Sequence, residues 1–272
     1  VTTASKQTES DVKKSLEDFL AVSAGPDRSH RPSILIPCHN HGDAVIPLLD
    51  RLAVHRMSCL IVDDGSGAVT KQLLEEQAHR RSWVHLIHRP TQGGKGAAVM
   101  TGLRSLHDLG FTHALQMDAD GQHAPEDVPL FLNESRSSPE ALVLGTPTFG
   151  PDVPRMRLAG RQISKWLIWA ETMSFDIDDP LFGFRVYPLT STVALINRHP
   201  LGRRMDFDPE IAIRLKWSGV PVRNIPTPVM YPVGGLSNFR MFADNMLMVW
   251  LHVRIFGAIV CRAIRPATGR RP

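Results

Sequence analysis

At 272 residues and 43% hydrophobic content, the chain can bury a full core, as one large domain or one domain with an appendage. Its formal net charge of +4 fits an anionic ligand or a membrane surface. The basic residues are not interleaved with aromatics along a face, so no nucleic-acid partner is expected. Cys38, Cys59 and Cys261 offer neither a disulfide framework nor a CxxC zinc signature, and no N-terminal stretch has a secretory layout. A cytoplasmic protein is the expectation.

Residues 1–30 read as an appendage. Val12, Leu16, Phe19 and Leu20 mark one face of a short helix starting near Ser10 or Asp11, and "SAGPDRSHRP" breaks it. From residue 31 to 235 the pattern is that of a single domain. "SILIP" (33–37) is a short apolar strand, 43–55 a helix, "SCLIVDD" (58–64) a buried strand and 68–80 a polar helix. "WVHLIH" (83–88) is a strand, 95–108 a helix, "THALQMD" (112–118) a strand, 125–134 a helix and "ALVLG" (141–145) a strand. Strands alternating with helices of about a dozen residues imply βαβ units, and hence an α/β fold with a mostly parallel sheet covered by helices on both faces.

Residues 236–272 form a basic tail, expected to be helical and amphipathic. Its longest apolar run, Met246 to Cys261, is interrupted by His252 and Arg254 and falls short of the roughly 18–20 residues that span a bilayer. Arginines recur beside large apolar residues, with Arg254, Arg262, Arg265, Arg270 and Arg271 toward the end. This suits a segment lying in the membrane interface, giving peripheral membrane association. Packing on the domain or on a second copy, as a homodimer, is the other reading of the same segment.

Polar clusters follow the strands: "CHNHGD", "DDGSG", "RPTQGGKG" and "DADGQH". In an open parallel sheet the ligand crevice lies outside the carboxyl ends of the strands, so these clusters converge on one edge. Asp118 and Asp120, at i and i+2, can face one object in extended chain. Two such acids repel unless a cation neutralises them, and Mg²⁺ or Mn²⁺ shared with substrate phosphates would do so, with Gln122 adding a neutral oxygen. Asp63 and Asp64 offer acceptors for ribose or base. Gly93, Gly94 and Gly96 around Lys95, at a helix start, suggest phosphate binding. The spacing is not that of a P-loop, and no G-x-G-x-x-G follows the first strand. Carboxylates, a divalent ion and phosphate donors together describe a nucleotide diphosphate.

"SILIPCHN", "IVDDGS", "GGKGAA", "MDADGQH", "LFGFRVY" and "FDPEIAIRL" occur in the order seen in family 2 glycosyltransferases of the GT-A fold, and the sequence resembles most the polyprenyl- or dolichyl-phosphate mannosyl- and glucosyltransferase branch over residues 31–240. The resemblance implies an inverting transferase with a GT-A, Rossmann-like sheet. It implies that Pro37, His39, Asn40, an acid of the Asp63/Asp64 pair, Lys95 and Asp118 line the UDP- or GDP-hexose, and that Asp120 holds the metal. Arg185 would face the sugar or acceptor phosphate, and Glu210 would lie on the acceptor side. Two departures stand out. "PCHNH" has His39 and His41 where the family has a tyrosine and an acid, and "MYPVGGLSNFR" (230–240) lacks the arginine and lysine of the lipid-phosphate mannosyltransferases.

The acceptor decides the chemistry. A lipid phosphate is already anionic and needs only cations, which Arg185 with Arg155, Arg157, Arg161 and Lys165 would supply. A hydroxyl acceptor would need a general base, with Asp208 or Glu210 as the candidates. A nucleotidyltransferase and a non-catalytic membrane-tethered module are the readings from other classes.

Overall fold

The computed structural model describes residues 16–22, 28–149, 155–230 and 241–264. Four strands, β1 (Pro32–Cys38), β2 (Cys59–Asp63), β3 (Val84–His88) and β4 (His113–Gln116), pair in parallel and are linked by α1 (Gly42–Leu52), α2 (Ala68–Arg80) and α3 (Lys95–Asp108). Side chains alternate between two cores. Ile34 and Ile36 join Val45, Leu48 and Phe131 on one face, while Leu35 joins Ala98, Val99 and Leu103 on the other. Both faces are therefore buried, which is why the strands are nearly continuous runs of apolar residues.

The second half departs from simple alternation. After α4 (Val128–Ser137), β5 (Leu142–Thr148) does not lie beside β4. The chain continues through α5 (Arg155–Thr172), and the short β6 (Arg185–Pro188) inserts between β4 and β5, antiparallel to both. α6 (Leu189–Arg198), α7 (Phe207–Trp217), β7 (Val222–Pro228) and α8 (Met241–Ile264) follow. The sheet order is β3-β2-β1-β4-β6-β5-β7. Strand order reverses between β1 and β4, and such a switch point opens a crevice at the carboxyl ends of the two strands.

The N-terminal helical segment, 16–22, docks through Phe19. This residue is buried between His85 and Phe111, and its carbonyl accepts from Ser58 Oγ at 2.5 Å. Ser10, Asp11 and Val12, expected at the start of that helix, lie outside the described residues, as do "YPVGGLSNFR" (231–240) and the arginines at 265, 270 and 271.

The helix α8 corrects a length argument. The apolar run in the sequence begins at Met246, but the helix is 24 residues long, and Ala243–Cys261 has a mean hydropathy of 1.3, enough by length and composition to cross a membrane. Its inner face nevertheless packs on the domain through Leu251, Ile255 and His252. Its outer face leaves Met246, Val249, Trp250, Val253 and Val260 exposed.

Candidate active site

A cleft of ≈ 820 Å³ opens where β1, β2 and β4 end, lined among others by Pro37, His39, Asp64, Lys95, Asp118 and Asp120. At its floor Lys95 is clasped by two carboxylates. Its Nζ lies 2.8 Å from Asp118 Oδ1, 2.9 Å from Asp118 Oδ2 and 2.8 Å from Asp208 Oδ2. Burial works against the Lys95 charge, but the two acids overcome it and raise its pKa. Burial likewise opposes the Asp118 charge, and the Lys95 ammonium reverses that effect, holding the carboxyl at about 2. Gly183 passes so close that a Cβ there would sit 2.6 Å from Asp118 Oδ2 and 2.7 Å from Lys95 Nζ. Only a glycine fits.

Asp120 titrates the other way. Burial, then the charge of Asp118, pushes its carboxyl up, while its Oδ1 accepts the Gln122 N–H at 3.0 Å. Gly121, at φ +74°, makes the turn that brings Gln122 back toward it. The donor set of two carboxylates and an amide oxygen is hard and oxygen-only, the chemistry that suits Mg²⁺ or Mn²⁺. A cation would also relieve the repulsion that raises Asp120. Among the described residues no three His, Cys, Asp or Glu side chains form a ready-made metal cluster, so substrate oxygens would have to complete the shell. On these grounds the residues fit the ion.

Of the residues expected around the nucleoside, Pro37, His39 and Asp64 line the cleft, and Asn40 and Asp63 do not. His39 Nδ1 donates to the Asp64 carbonyl at 3.0 Å, tying the β1 and β2 loops together. Asp63 is fully buried, accepting from the Ser66 N–H at 3.0 Å and meeting His88 Nδ1 at 2.9 Å. Asn40 accepts the Gly67 N–H, just before α2, at 2.9 Å. Both tie the loops at the strand ends together.

The glycine-rich start of α3 is a further correction. The Gly93 and Gly94 N–H groups donate to the Asp64 carboxylate at 3.0 and 2.7 Å, and Arg89 pairs with the same acid. The glycines are required by close packing: a Cβ on Gly94 would fall 2.5 Å from Arg203 O, and one on Gly96 2.3 Å from Phe207 Cβ. Residues 202–206 lie directly over this helix start.

Two expected acceptor-side residues are elsewhere. Arg185 is wholly buried, and its guanidinium donates to the carbonyls of Phe182 (2.7 Å), Asp208 (2.6 Å) and Pro180 (2.5 Å). It pins the turn carrying Gly183 and does not line the cleft. Glu210 is also fully buried, accepting from the Gly202 N–H at 2.8 Å and Arg214 Nε at 2.9 Å. Asp208 does reach the cleft, bound to Lys95. Arg161 lines the cleft and pairs with Asp179 at 2.5 Å, whereas Lys165 is drawn to Asp178 at 2.8 Å. The side chains of Arg155 and Arg157 lie outside the described residues.

His123, and the wall formed by Arg204 and Met205, line the cleft without having been among the expected site residues. His123 stacks on Phe184 with ring centroids 5.3 Å apart, and its Nδ1 accepts the Asp118 N–H at 3.1 Å, which orients the aspartate. The "QH" following "DAD" marks that position. The 202–206 loop carries no periodicity that would single it out.

Residues 33–203 match the model of the family described as "Glycosyl transferase family 2". An undecaprenyl-phosphate mannosyltransferase of Micrococcus luteus is 31% identical over 162 residues, covering 56% of this chain and 64% of that protein. A polyprenol monophosphomannose synthase of Mycolicibacterium smegmatis is 33% identical over 108 residues, 39% of this chain and 41% of the other. The chain thus spans less than two thirds of the length of these two curated relatives. A solved mannosyltransferase from Pyrobaculum calidifontis, in complex with GDP-Man and Mn²⁺, aligns over 97% of this chain and 75% of its own, with a TM-score of 0.57 and 16% identity. That last likeness is one of fold.

Proposed function

The chain belongs to glycosyl transferase family 2, and on that premise we propose that it moves a hexose from a UDP- or GDP-sugar to a polyprenyl-type lipid phosphate, with inversion at the transferred carbon. The observation that carries this reading is the cleft itself. The Lys95–Asp118–Asp208 cluster and Asp120 lie at its floor, and its wall includes Arg161 of α5 and Met248 of α8, two helices whose outer faces are apolar. The names of the two mannosyltransferase relatives support the same acceptor class.

In this reading Pro37, His39 and Asp64 flank the nucleoside, and the diphosphate lies toward Asp118 and Asp120. Asp120, with Asp118 and Gln122, would hold Mg²⁺ or Mn²⁺, which supplies charge compensation for the departing diphosphate. Lys95 keeps Asp118 ionised and fixed, and Asp208 and Gly183 keep Lys95 in place. An oxygen of the acceptor phosphate attacks the anomeric carbon, the carbon–oxygen bond to the diphosphate breaks, and the nucleoside diphosphate leaves with the electron pair. The attacking oxygen is already anionic, so no proton has to move. This agrees with the state of the two candidate bases: Asp208 is committed to Lys95, and Glu210 is buried away from the cleft. Arg161 and Arg204 stand at the cleft wall to meet the acceptor phosphate.

The test is nucleoside-diphosphate release from a panel of UDP- and GDP-hexoses, with and without Mn²⁺ and with polyprenyl phosphate in detergent or vesicles. Metal-dependent release that requires the lipid phosphate and drops at least about 100-fold in Asp120→Ala is expected. Turnover with a simple alcohol in place of the lipid phosphate, or release of nucleoside monophosphate, would refute the reading.

A further inference from the structure

Among the described ion pairs α8 meets the rest of the chain at three points: Arg204 Nε lies 3.9 Å from Asp244 Oδ1 at its start, and two closer anchors face different neighbours. His252 Nδ1 meets Glu171 Oε1 of α5 at 2.7 Å, a contact between adjacent helices. Arg254 Nη2 lies 3.3 Å from Asp206 Oδ2 and 3.1 Å from Glu210 Oε2, at the start of α7. The second anchor leads into the cleft. Asp206 also accepts the Arg204 N–H at 3.1 Å, and Glu210 accepts the Gly202 N–H at 2.8 Å. The same two carboxylates therefore hold residues 202–206 on one side and Arg254 on the other.

That loop rests on the start of α3. The Arg203 carbonyl accepts the Ala97 N–H at 2.9 Å, and Gly94 and Gly96 have no room for a Cβ because the loop and Phe207 occupy it. Arg204 and Met205, from the same loop, line the cleft, as do Asn245 and Met248 of α8. Glu210 has a second cation in Arg214, at 2.8 Å. Among the described ion pairs, Asp206 has Arg254.

We propose that Arg254 is a positioning residue: it latches the apolar helix α8 to residues 202–206, so that the acceptor wall of the cleft keeps its place over Lys95 only while α8 is seated. The proposal rests on the transferase reading above for its kinetic consequence, but the latch itself is physical and can be read without turnover. Asp206 is buried and Arg254 half-buried, and a charge pair fixes geometry most where its loss leaves a buried carboxylate without an ion partner; Asp206 would then keep only the Arg204 N–H among its described contacts.

Two measurements test it. The first is limited trypsin digestion of the full chain, following cleavage after Arg203 and Arg204. Arg254→Ala is expected to cut about tenfold faster there than wild type, Arg254→Lys to fall between, and cleavage at sites far from α7 to stay unchanged. An unchanged rate after Arg203 and Arg204, or equal acceleration everywhere, would overturn the latch, whether or not the protein turns over. The second uses a nucleotide sugar with polyprenyl phosphate in vesicles. Arg254→Ala is expected to raise the acceptor KM about tenfold with the donor KM within about twofold, and Arg254→Ala/Asp206→Asn to lose no more than the worse single variant. Equal rises in both KM values, or additive losses, would refute the positioning role. A wild type that transfers to no lipid phosphate would refute the transferase reading and leave the digestion result to decide the latch.

Discussion

Asp118 and Asp120, with only Ala119 between them, are driven in opposite directions. Burial opposes both charges, but Lys95 sits against Asp118 and reverses the effect there, while Asp120 has the charge of Asp118 added to its burden. The sign follows from linkage. A carboxyl held low adds stability above its ordinary pKa and loses it as pH falls toward 2, which describes Asp118. A carboxyl held high adds nothing once ionised, and its stability contribution is lost as pH rises through its raised folded value. At neutral pH, then, Asp120 is a liability to the metal-free protein. Asp120→Asn keeps the oxygen that accepts the Gln122 N–H and removes the charge. The expected result is a melting temperature raised by about 2–4 °C without metal; the wild type is expected to shift upward with Mn²⁺ and the variant is not. A lowered melting point without metal, or a Mn²⁺ shift that survives the substitution, would show that Asp120 carries neither the repulsion nor the ion.

At the scale of elements, what the sequence revealed depended on whether a pattern has one physical cause or two. Strands β1 to β4 and helices α1 to α3 were legible because buried parallel strands and half-buried helices leave distinct periodicities. The positions of Asp118, Asp120, Gln122, Asp64 and Lys95 at strand and helix ends followed from them. β6 was not legible as a strand of its own: four residues are too few for a period, and Arg185 at its start looks like a ligand-binding cation until its three carbonyl partners are seen. "GGKG" was read as a phosphate-binding helix start, and the sequence could not tell that reading from close packing. Both phosphate and a packed loop demand glycine, and here Asp64 takes the N–H groups while residues 202–207 take the space. This yields a paired test. Gly96→Ala forces a methyl against Phe207 Cβ and the Gly202 carbonyl, so a loss of about 1–3 kcal/mol is expected in urea unfolding, with unchanged slope. Gly257→Ala, in the middle of α8 with open space around it, is expected to gain about 0.5–1 kcal/mol from helix propensity alone. If Gly96→Ala were neutral, the glycine would be serving a ligand and not the packing of α3 under the loop.

Across the whole molecule, the polar chemistry and the apolar surface share one side. On α8 the exposed residues Met246, Val249, Trp250, Val253 and Val260 recur at i, i+3, i+4, i+7 and i+14, a single stripe along the helix, and only 17% of its apolar stretch is buried. On α5, which also lines the cleft, Ile163 and Trp166 are exposed as well, Trp166 at 62%. A stripe of this composition is too apolar to be left in water without a partner, and two tryptophans fit the interface between headgroups and acyl chains. A bilayer and a second copy of the chain would both cover it, and they differ in what they require. Membrane binding needs lipid and is independent of protein concentration, whereas pairing needs protein concentration and no lipid. The purified chain is therefore expected to sediment with vesicles containing anionic lipid. Trp250→Ser/Val253→Asp is expected to weaken that binding roughly tenfold or more, because each side chain contributes about 1.5–3 kcal/mol when fully buried. Both side chains are more than half exposed, Trp250 at 58% and Val253 at 55%, so the double variant should fold as well as wild type and bind nucleotide sugar equally. Failure to bind vesicles, with a mass that doubles as concentration rises and returns to the monomer in the same variant, would assign the stripe to a dimer. The acceptor would then have to reach the cleft by another face.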